Sequence, residues 1–419
     1  MKESICSGGR RPRGAGFLAL ALALAIVVGS ALPGAAASIG SSAAGKPAYA
    51  LTLGPYGAIA VSGEAWAGVG LCHGDQGDAA SFGLRSDGLE LLLTGGANGQ
   101  AAFVGMASFK WGPGRSGSLV LSGIADPMPV AGYRLSLGSL EYVRFVGAME
   151  SEQKRALMAQ RIEYSPWPWL TLGITETAAV SGEVSPVLFL PVPGLPVYAL
   201  QHLAIKQHPV QDRNINVNMG VDFRAEFPIS RGTERKAEAY GEFFADDAHL
   251  LWDPDPAPYL VGVLAGIDVP EIPGMRALGV NLEYVGIANF VYSHKNPINN
   301  YTYHDAPLGH PLGPDADTLI LTVSYRCSPK STLTLSGAVE RHGEGYIGHS
   351  WSPGHGMDEA FLTGVVEKTA MASLGWRWAV VGPLSLNARI GFAAKGNYRH
   401  VEGTNWAGWN CEVGVGVLL

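Results

Sequence analysis

The stretch INVNMGVDFRAEF, Ile215 to Phe227, decides the fold. Its odd positions, Ile215, Val217, Met219, Val221, Phe223, Ala225 and Phe227, are apolar, while Asn216, Asn218, Gly220, Asp222, Arg224 and Glu226 are polar or glycine. A period of two marks an extended strand whose successive side chains leave on opposite faces. Thirteen residues is long for a strand of a soluble sandwich, but it suits a strand of roughly 9 to 11 residues tilted across a bilayer.

The same separation runs from Leu384 to Lys395, where Leu384, Leu386, Ala388, Ile390 and Phe392 oppose Ser385, Asn387, Arg389, Gly391 and Ala393, and again from Trp409 to Leu419. Further strands are predicted around residues 101–111, 117–124, 155–164, 169–176, 234–246, 259–268, 277–288, 318–326, 332–341 and 370–381. Charged residues at strand centres, Arg224, Glu238, Glu242, Glu283 and Arg389, fit a wet lumen with the apolar face turned to lipid. Closure pairs every backbone donor and acceptor, as hydrocarbon requires. Trp167, Trp169, Trp376, Trp378, Trp406 and Trp409 fall near predicted strand ends, where interfacial girdles form. The pattern therefore predicts an all-β protein, a transmembrane antiparallel barrel of outer-membrane type. At roughly 20 to 24 residues per strand and connection, residues 38–419 make about 16 to 18 strands. Short connections such as Val381-Gly382-Pro383 belong to one rim, and long polar ones, notably Ser293 to Asp317 and His342 to Asp358, to the other. A secreted β-sandwich or solenoid is the alternative.

Composition narrows the class. The chain of 419 residues has 56 Gly and 16% charged residues, against about 25% charged in ordinary globular domains. Low charge argues against a disordered polypeptide, and a net charge of −7 without a basic block argues against a nucleic-acid partner. Arg10, Arg11 and Arg13 precede an apolar run from Phe17 to Val28, with Ala35 and Ala37 after it, which predicts a secretory signal peptide over residues 1–37. That run is shorter than the roughly 20 residues of a spanning helix. Val184 to Ile205 carries no formal charge, but Pro186, Pro191, Pro193 and Pro196 make it a loop or extended segment. Cys6, Cys72, Cys327 and Cys411 match no zinc or redox pattern. Cys411 falls on the predicted lipid face, so any disulfide is expected between Cys72 and Cys327.

Several local sequences resemble the Wzi family of capsule-assembly outer-membrane proteins. The first is Lys110-Trp111-Gly112-Pro113-Gly114-Arg115, leading into Ser118-Leu119-Val120-Leu121-Ser122 and Ala125-Asp126-Pro127-Met128-Pro129. Next come Ala159-Gln160-Arg161-Ile162-Glu163-Tyr164 with Leu170-Thr171-Leu172-Gly173-Ile174-Thr175-Glu176, and then Ala239-Tyr240-Gly241-Glu242-Phe243-Phe244-Ala245-Asp246-Asp247. Last are Leu282-Glu283-Tyr284, Tyr301-Thr302-Tyr303-His304 and Leu308-Gly309-His310-Pro311-Leu312-Gly313-Pro314-Asp315-Ala316-Asp317. They stand in family order over residues 105 to 320. The resemblance implies a bacterial outer-membrane barrel of roughly eighteen strands that acts like a lectin, holding capsular or similar polysaccharide at the cell surface. Outer-membrane lipid and the barrel-assembly machinery are the other partners that such a barrel implies, and no cofactor is implied. Family members can carry a helical bundle near the N-terminus, whereas residues 38–100 here are Gly-rich and strand-like.

The same blocks have physical content of their own. Gly112 and Gly114 around Pro113 supply a tight turn. Arg115 beside it either faces an anionic sugar or pairs with a barrel carboxylate, since its planar fork fits both. Asp246 and Asp247 sit at a strand end near solvent, where they bind a cation or begin a loop. His294, His304, His310, His342, His349 and His355 fall within 62 residues, and with Asp305, Asp315 and Asp317 they are potential metal donors. No pair has i,i+4 or strand-alternating spacing, so no metal is assigned; solvated loop histidines, or contacts to saccharide hydroxyls, are expected instead. Tyr292, Tyr301, Tyr303, Tyr346 and Trp351 in these loops either stack on sugar rings or anchor packing. The candidate polysaccharide-binding residues are Trp111, Gly112, Pro113, Gly114, Arg115, Asp246, Asp247, Tyr301, Tyr303, His304, Gly309, His310 and Asp315.

The rival function is a porin-like channel for small solutes, because a polar lumen serves both roles. An enzyme would need a nucleophile held by a base. Ser350 beside His349 points the other way in a strand, and no Gly-x-Ser-x-Gly elbow stands out, so no catalytic residue is assigned.

Overall fold

The computed structural model describes residues 36–41, 47–52, 58–74, 77–97, 100–150, 152, 154–182, 215–229, 235–246, 260–352, 360–381 and 384–418, with side chains between 100 and 416. Residues 1–35 of the expected leader, the Val184 to Ile205 segment, Asp247, His355 and the turn residues Gly382 and Pro383 lie outside the described residues.

A hairpin of β1 (Ala36–Ser41) and β2 (Pro47–Thr52) precedes the long strands β3 (Ala58–Gly74), β4 (Gly77–Ala97) and β5 (Gln100–Ala107). The chain then leaves the wall. Two-residue strands β6 (Lys110–Trp111) and β7 (Leu121–Ser122) pair only with each other before β8 (Met128–Leu137) rejoins it. The wall continues through β9 (Leu140–Ala148), β10 (Ala156–Trp167), β11 (Leu170–Val180), β12 (Ile215–Pro228), β13 (Lys236–Asp246), β14 (Val261–Val269) and β15 (Leu278–Ile287). A second excursion carries β16 (Thr302–Tyr303) and β17 (Ala306–Pro307). The last wall strands are β18 (Ala316–Ser328), β19 (Ser331–His342), β20 (Glu367–Val381), β21 (Leu384–Gly396) and β22 (Asn405–Leu418).

Eighteen strands form one antiparallel sheet, in which β5 pairs with β8, β15 with β18, and β22 returns to β3 from Trp409↔His73 to Leu418↔Glu64. The β1–β2 hairpin attaches to the first part of β3. Alternation sets the faces. Met219, Val221, Phe223, Phe243, Val263, Leu321, Leu335, Leu374, Ile390 and Val413 are large, apolar and exposed, as lipid-facing side chains are, whereas Asp222 and Glu242 are register partners on the inner face. Trp167 stacks on Trp169 and Trp376 on Trp378 beside the short turns, forming part of a girdle. Trp406 departs from the expected girdle: it pairs in register with Lys395 on the inner face and stacks on Tyr398. Cys327 and Cys411 are both free thiols, which overturns the expected Cys72–Cys327 pairing.

One row reverses the simple rule. Arg144, Gln160 and Glu176 share register with outward Met219, yet all three are buried. Gln160 accepts from Tyr142 at 2.8 Å and from Arg144 at 3.4 Å, and donates to Glu176 at 2.6 Å. Buried polar groups require such partners.

The rims differ. Turns such as 138–139, 168–169 and 329–330 are short, while the opposite ends of the strands are joined by 108–127, 288–315 and 343–366. Short turns face the periplasm in outer-membrane barrels and long connections face outward. Residues 117–124, expected as a wall strand, belong instead to the first long connection, and Leu119, Val120 and Leu121 are buried within the barrel core.

Candidate functional site

The segment from Ser108 to Pro127 enters the barrel from the long-connection rim and is fastened there by two wall carboxylates. Its Gly112, at φ +131°, takes a backbone shape that side chains rarely tolerate, and a Cβ there would meet Ser118 Oγ and the Glu242 carboxylate. That turn brings successive amides face to face with β13 and β15. Glu242 accepts from Gly114 N–H at 2.8 Å, Leu119 N–H at 2.7 Å and Ser118 Oγ at 2.8 Å. Glu283 on β15 accepts from Arg115 N–H at 2.6 Å, Ser116 N–H at 2.8 Å and Tyr240 Oη at 2.9 Å, and also from Ser116 Oγ. Lys110 Nζ closes the turn onto Gly114 O at 2.5 Å.

Arg115 thus resolves to ion pairing within the barrel. Its guanidinium reaches Glu238 at 2.5 Å and Asp268 at 3.5 Å, and lies 5.7 Å from the Tyr240 ring centroid. Glu242 and Glu283 were expected to face a wet lumen; both are instead buried and satisfied by the entering segment. Trp111 packs edge-on against Phe145 at 5.3 Å, inside the core.

The second connection, 288–315, lies over the first. Tyr292 Oη donates to Leu119 O at 2.7 Å and receives His310 N–H at 3.1 Å. A Cβ at Gly309 would strike the Tyr292 ring, so only glycine permits this approach. His310 is buried; its Nδ1 accepts from Leu312 N–H at 3.1 Å, leaving Nε2 with the proton, 3.0 Å from Ser116 Oγ. Burial pushes its imidazole down to about 4, against the upward pull of Glu283. Tyr301 Oη reaches Thr177 at 2.9 Å, and burial raises both Tyr292 and Tyr301 above the ordinary phenol range.

Asp246 was expected near solvent. It is buried and accepts Tyr292 N–H at 2.5 Å, because the second connection folds over the end of β13. Asp315, fully buried, ties the third connection to the second: it accepts Gly345 N–H at 2.9 Å, Thr363 N–H at 3.1 Å and Thr363 Oγ1 at 2.5 Å. Tyr303 is largely buried, while His304 stacks on it at 4.0 Å and meets Asp126 at 3.1 Å on the exposed side. Among the described residues no group of three His, Cys, Asp or Glu stands at metal-binding spacing. Tyr346, which is 63% exposed, stacks on His349 at 5.7 Å and carries the aromatic surface of the third connection into solvent.

An antiparallel barrel with an apolar outer belt, a short-turn rim and long connections bonded into its interior defines an outer-membrane β-barrel. The chain belongs to the capsule assembly protein Wzi family, whose model matches residues 93–407. Among solved structures it is similar to Wzi of Escherichia coli, an outer membrane protein involved in group 1 capsule assembly and described as a carbohydrate-binding β-barrel. The TM-score is 0.55 at 16% identity, covering 91% of this chain and 81% of that one. It also matches OccK7 (OpdD) of Pseudomonas aeruginosa with a TM-score of 0.47 at 10% identity, covering 89% and 91%. For the outer membrane channel DcaP of Acinetobacter baumannii the TM-score is 0.44 at 11% identity, covering 87% and 98%. No curated protein matches the chain.

Proposed function

We propose that this protein binds surface polysaccharide at the outward rim of the barrel and so organises capsule or a similar glycan layer, without catalysis. Membership of the Wzi family supports the role. The observation that carries it against the channel reading is the seating of residues 108–127 on Glu242 and Glu283, which places protein where a wide pore needs water. Most of the candidate binding residues, Trp111 to Arg115, Asp246, Tyr301, Gly309, His310 and Asp315, are then the framework that holds the rim connections. Saccharide contact falls to exposed groups on that framework: His304 with Asp126, and Tyr346, whose ring is backed by the half-buried His349. Aromatic faces beside polar donors suit a sugar ring. The remaining partners in this reading are outer-membrane lipid around the apolar belt and the assembly machinery that inserts the barrel.

Deleting the gene and following the glycan tests this. Unchanged synthesis with polysaccharide lost to the medium is expected; full retention with impaired solute uptake would establish the channel instead. Planar-bilayer recordings of the purified protein should lack large, steady single-channel currents.

A further inference from the structure

On the outer face of the wall, one residue inside the long-connection rim, Arg341 of β19 and Lys368 of β20 stand directly opposite each other in register. Like charges in that position repel and destabilise a sheet unless an anion lies between them. Arg341 is tied to Asp317 on β18 at 3.0 Å through Nε, and Asp317 also receives the Tyr284 hydroxyl at 3.3 Å. Asp317 is thereby used by Arg341, whose side chain remains 53% exposed. Lys368 is exposed and makes no ion pair among the described residues. The nearby Glu367 faces inward, where Lys395 holds it at 2.7 Å.

Immediately below the two cations runs a row of outward side chains in register, Tyr284, Leu319, Val339 and Ala370. A cavity of about 1000 Å³ follows this stretch of wall; Tyr284, Leu319, Val339, Arg341, Lys368 and Ala370 border it, and Asp317 and Glu340 also belong to its lining. Net positive charge at the rim above an apolar surface is the complement of one amphiphile: phosphate at headgroup depth with acyl chains beneath it. Long connections face outward, so this height is that of the outer leaflet's headgroups.

We propose that Arg341 and Lys368 form a binding site for the phosphate of an anionic lipid of the outer leaflet, with its acyl chains along Leu319 and Val339. The full-length protein in uncharged detergent, titrated with lipid A as a bis-phosphorylated probe and read by native mass spectrometry, tests the site. A lipid A adduct is expected. Lys368→Ser should weaken it about fivefold, the effect of one basic residue at a charged membrane surface. Arg341→Gln should weaken it as well, while Arg341→Lys, which keeps the charge, should lose less. Lys330→Ser, a change of an exposed lysine at the opposite rim, should leave it unchanged. Heat-modifiable migration verifies that each variant is folded. Equal binding of enzymatically dephosphorylated lipid A, an undiminished adduct in Lys368→Ser, or equal loss in Lys330→Ser would overturn the site.

Discussion

Glu242, on the barrel wall, accepts a hydrogen bond from the backbone amide of Gly114 at 2.8 Å, so a wall carboxylate grips a segment that left the wall at residue 107. The same carboxylate takes Leu119 N–H and Ser118 Oγ, all within the buried core. Glu242→Ala strands those donors, at about 1–3 kcal/mol for each one left unsatisfied. Residues 108–127 should then lose hydrogen-exchange protection and bilayer conductance should rise. Glu242→Gln, which keeps one acceptor oxygen, should show the smaller change.

Gly112→Ala is expected to act on the same contact from the other side. The added methyl meets Ser118 and Glu242 at a backbone angle unsuited to alanine. A cost of about 1–3 kcal/mol follows from overpacking. Thermal loss of the heat-modifiable band should shift downward, whereas Gly138→Ala, at a turn with nothing near its Cβ, should suffer only its own positive-φ strain.

His310 predicts a pH dependence of definite sign. Its imidazole is held down to about 4 by burial, below the unfolded value of about 6.5. Between these values the unfolded state binds more protons, so stability rises with pH and is complete above about 6.5. Acidification from about 6.5 towards about 4 adds the proton at Nδ1, which should displace the Leu312 N–H, place a buried charge beside Ser116 and expose residues 108–127 to protease. His310→Gln should flatten that acid limb; an unaltered pH profile in the variant would remove His310 as its cause.

Asp315 sits at positive φ and joins two connections, so its replacement separates backbone from side-chain effects. Asp315→Asn tolerates the left-handed backbone and retains one carbonyl acceptor, whereas Asp315→Ala loses both. Exchange at the Gly345 and Thr363 amides should rise modestly in the first variant and by at least tenfold in the second, as expected for a loss of about 1.4 kcal/mol or more.

Tyr346→Ala should weaken retention of surface polysaccharide about two- to tenfold while leaving barrel assembly intact, the range expected when an aromatic stacking partner is removed. Tyr346→Phe should keep most of the retention. A wild-type phenotype for Tyr346→Ala would exclude this ring from the glycan surface.

The wall was legible where one face met lipid and the other did not. Ile215 to Phe227 and Leu384 to Lys395 fall on β12 and β21 almost to the residue. Strand β9 carries no such signal because Tyr142 and Arg144 on one face and Val143 and Phe145 on the other are all buried, which erases the polar alternation. Residues 117–124 misled for the opposite reason. Their apolar run is real, but the glycine turn before it carries them into the core, where apolar side chains are equally at home. Residue type alone puts Trp406 in the girdle, and only its register with Lys395 places it inside.

Strand class, the lipid-facing side and the family motifs were thus determined by the sequence itself, because a period of two is a local property of each extended segment. Tertiary structure decided that Arg115 is an ion-pair partner, that Asp246 and Asp315 are buried pins, and that Lys368 stands beside Arg341. Those outcomes depend on which strands become neighbours and which connections fold inward. That pairing brings Gly114 to Glu242 across 128 positions, a distance over which side-chain alternation carries no information.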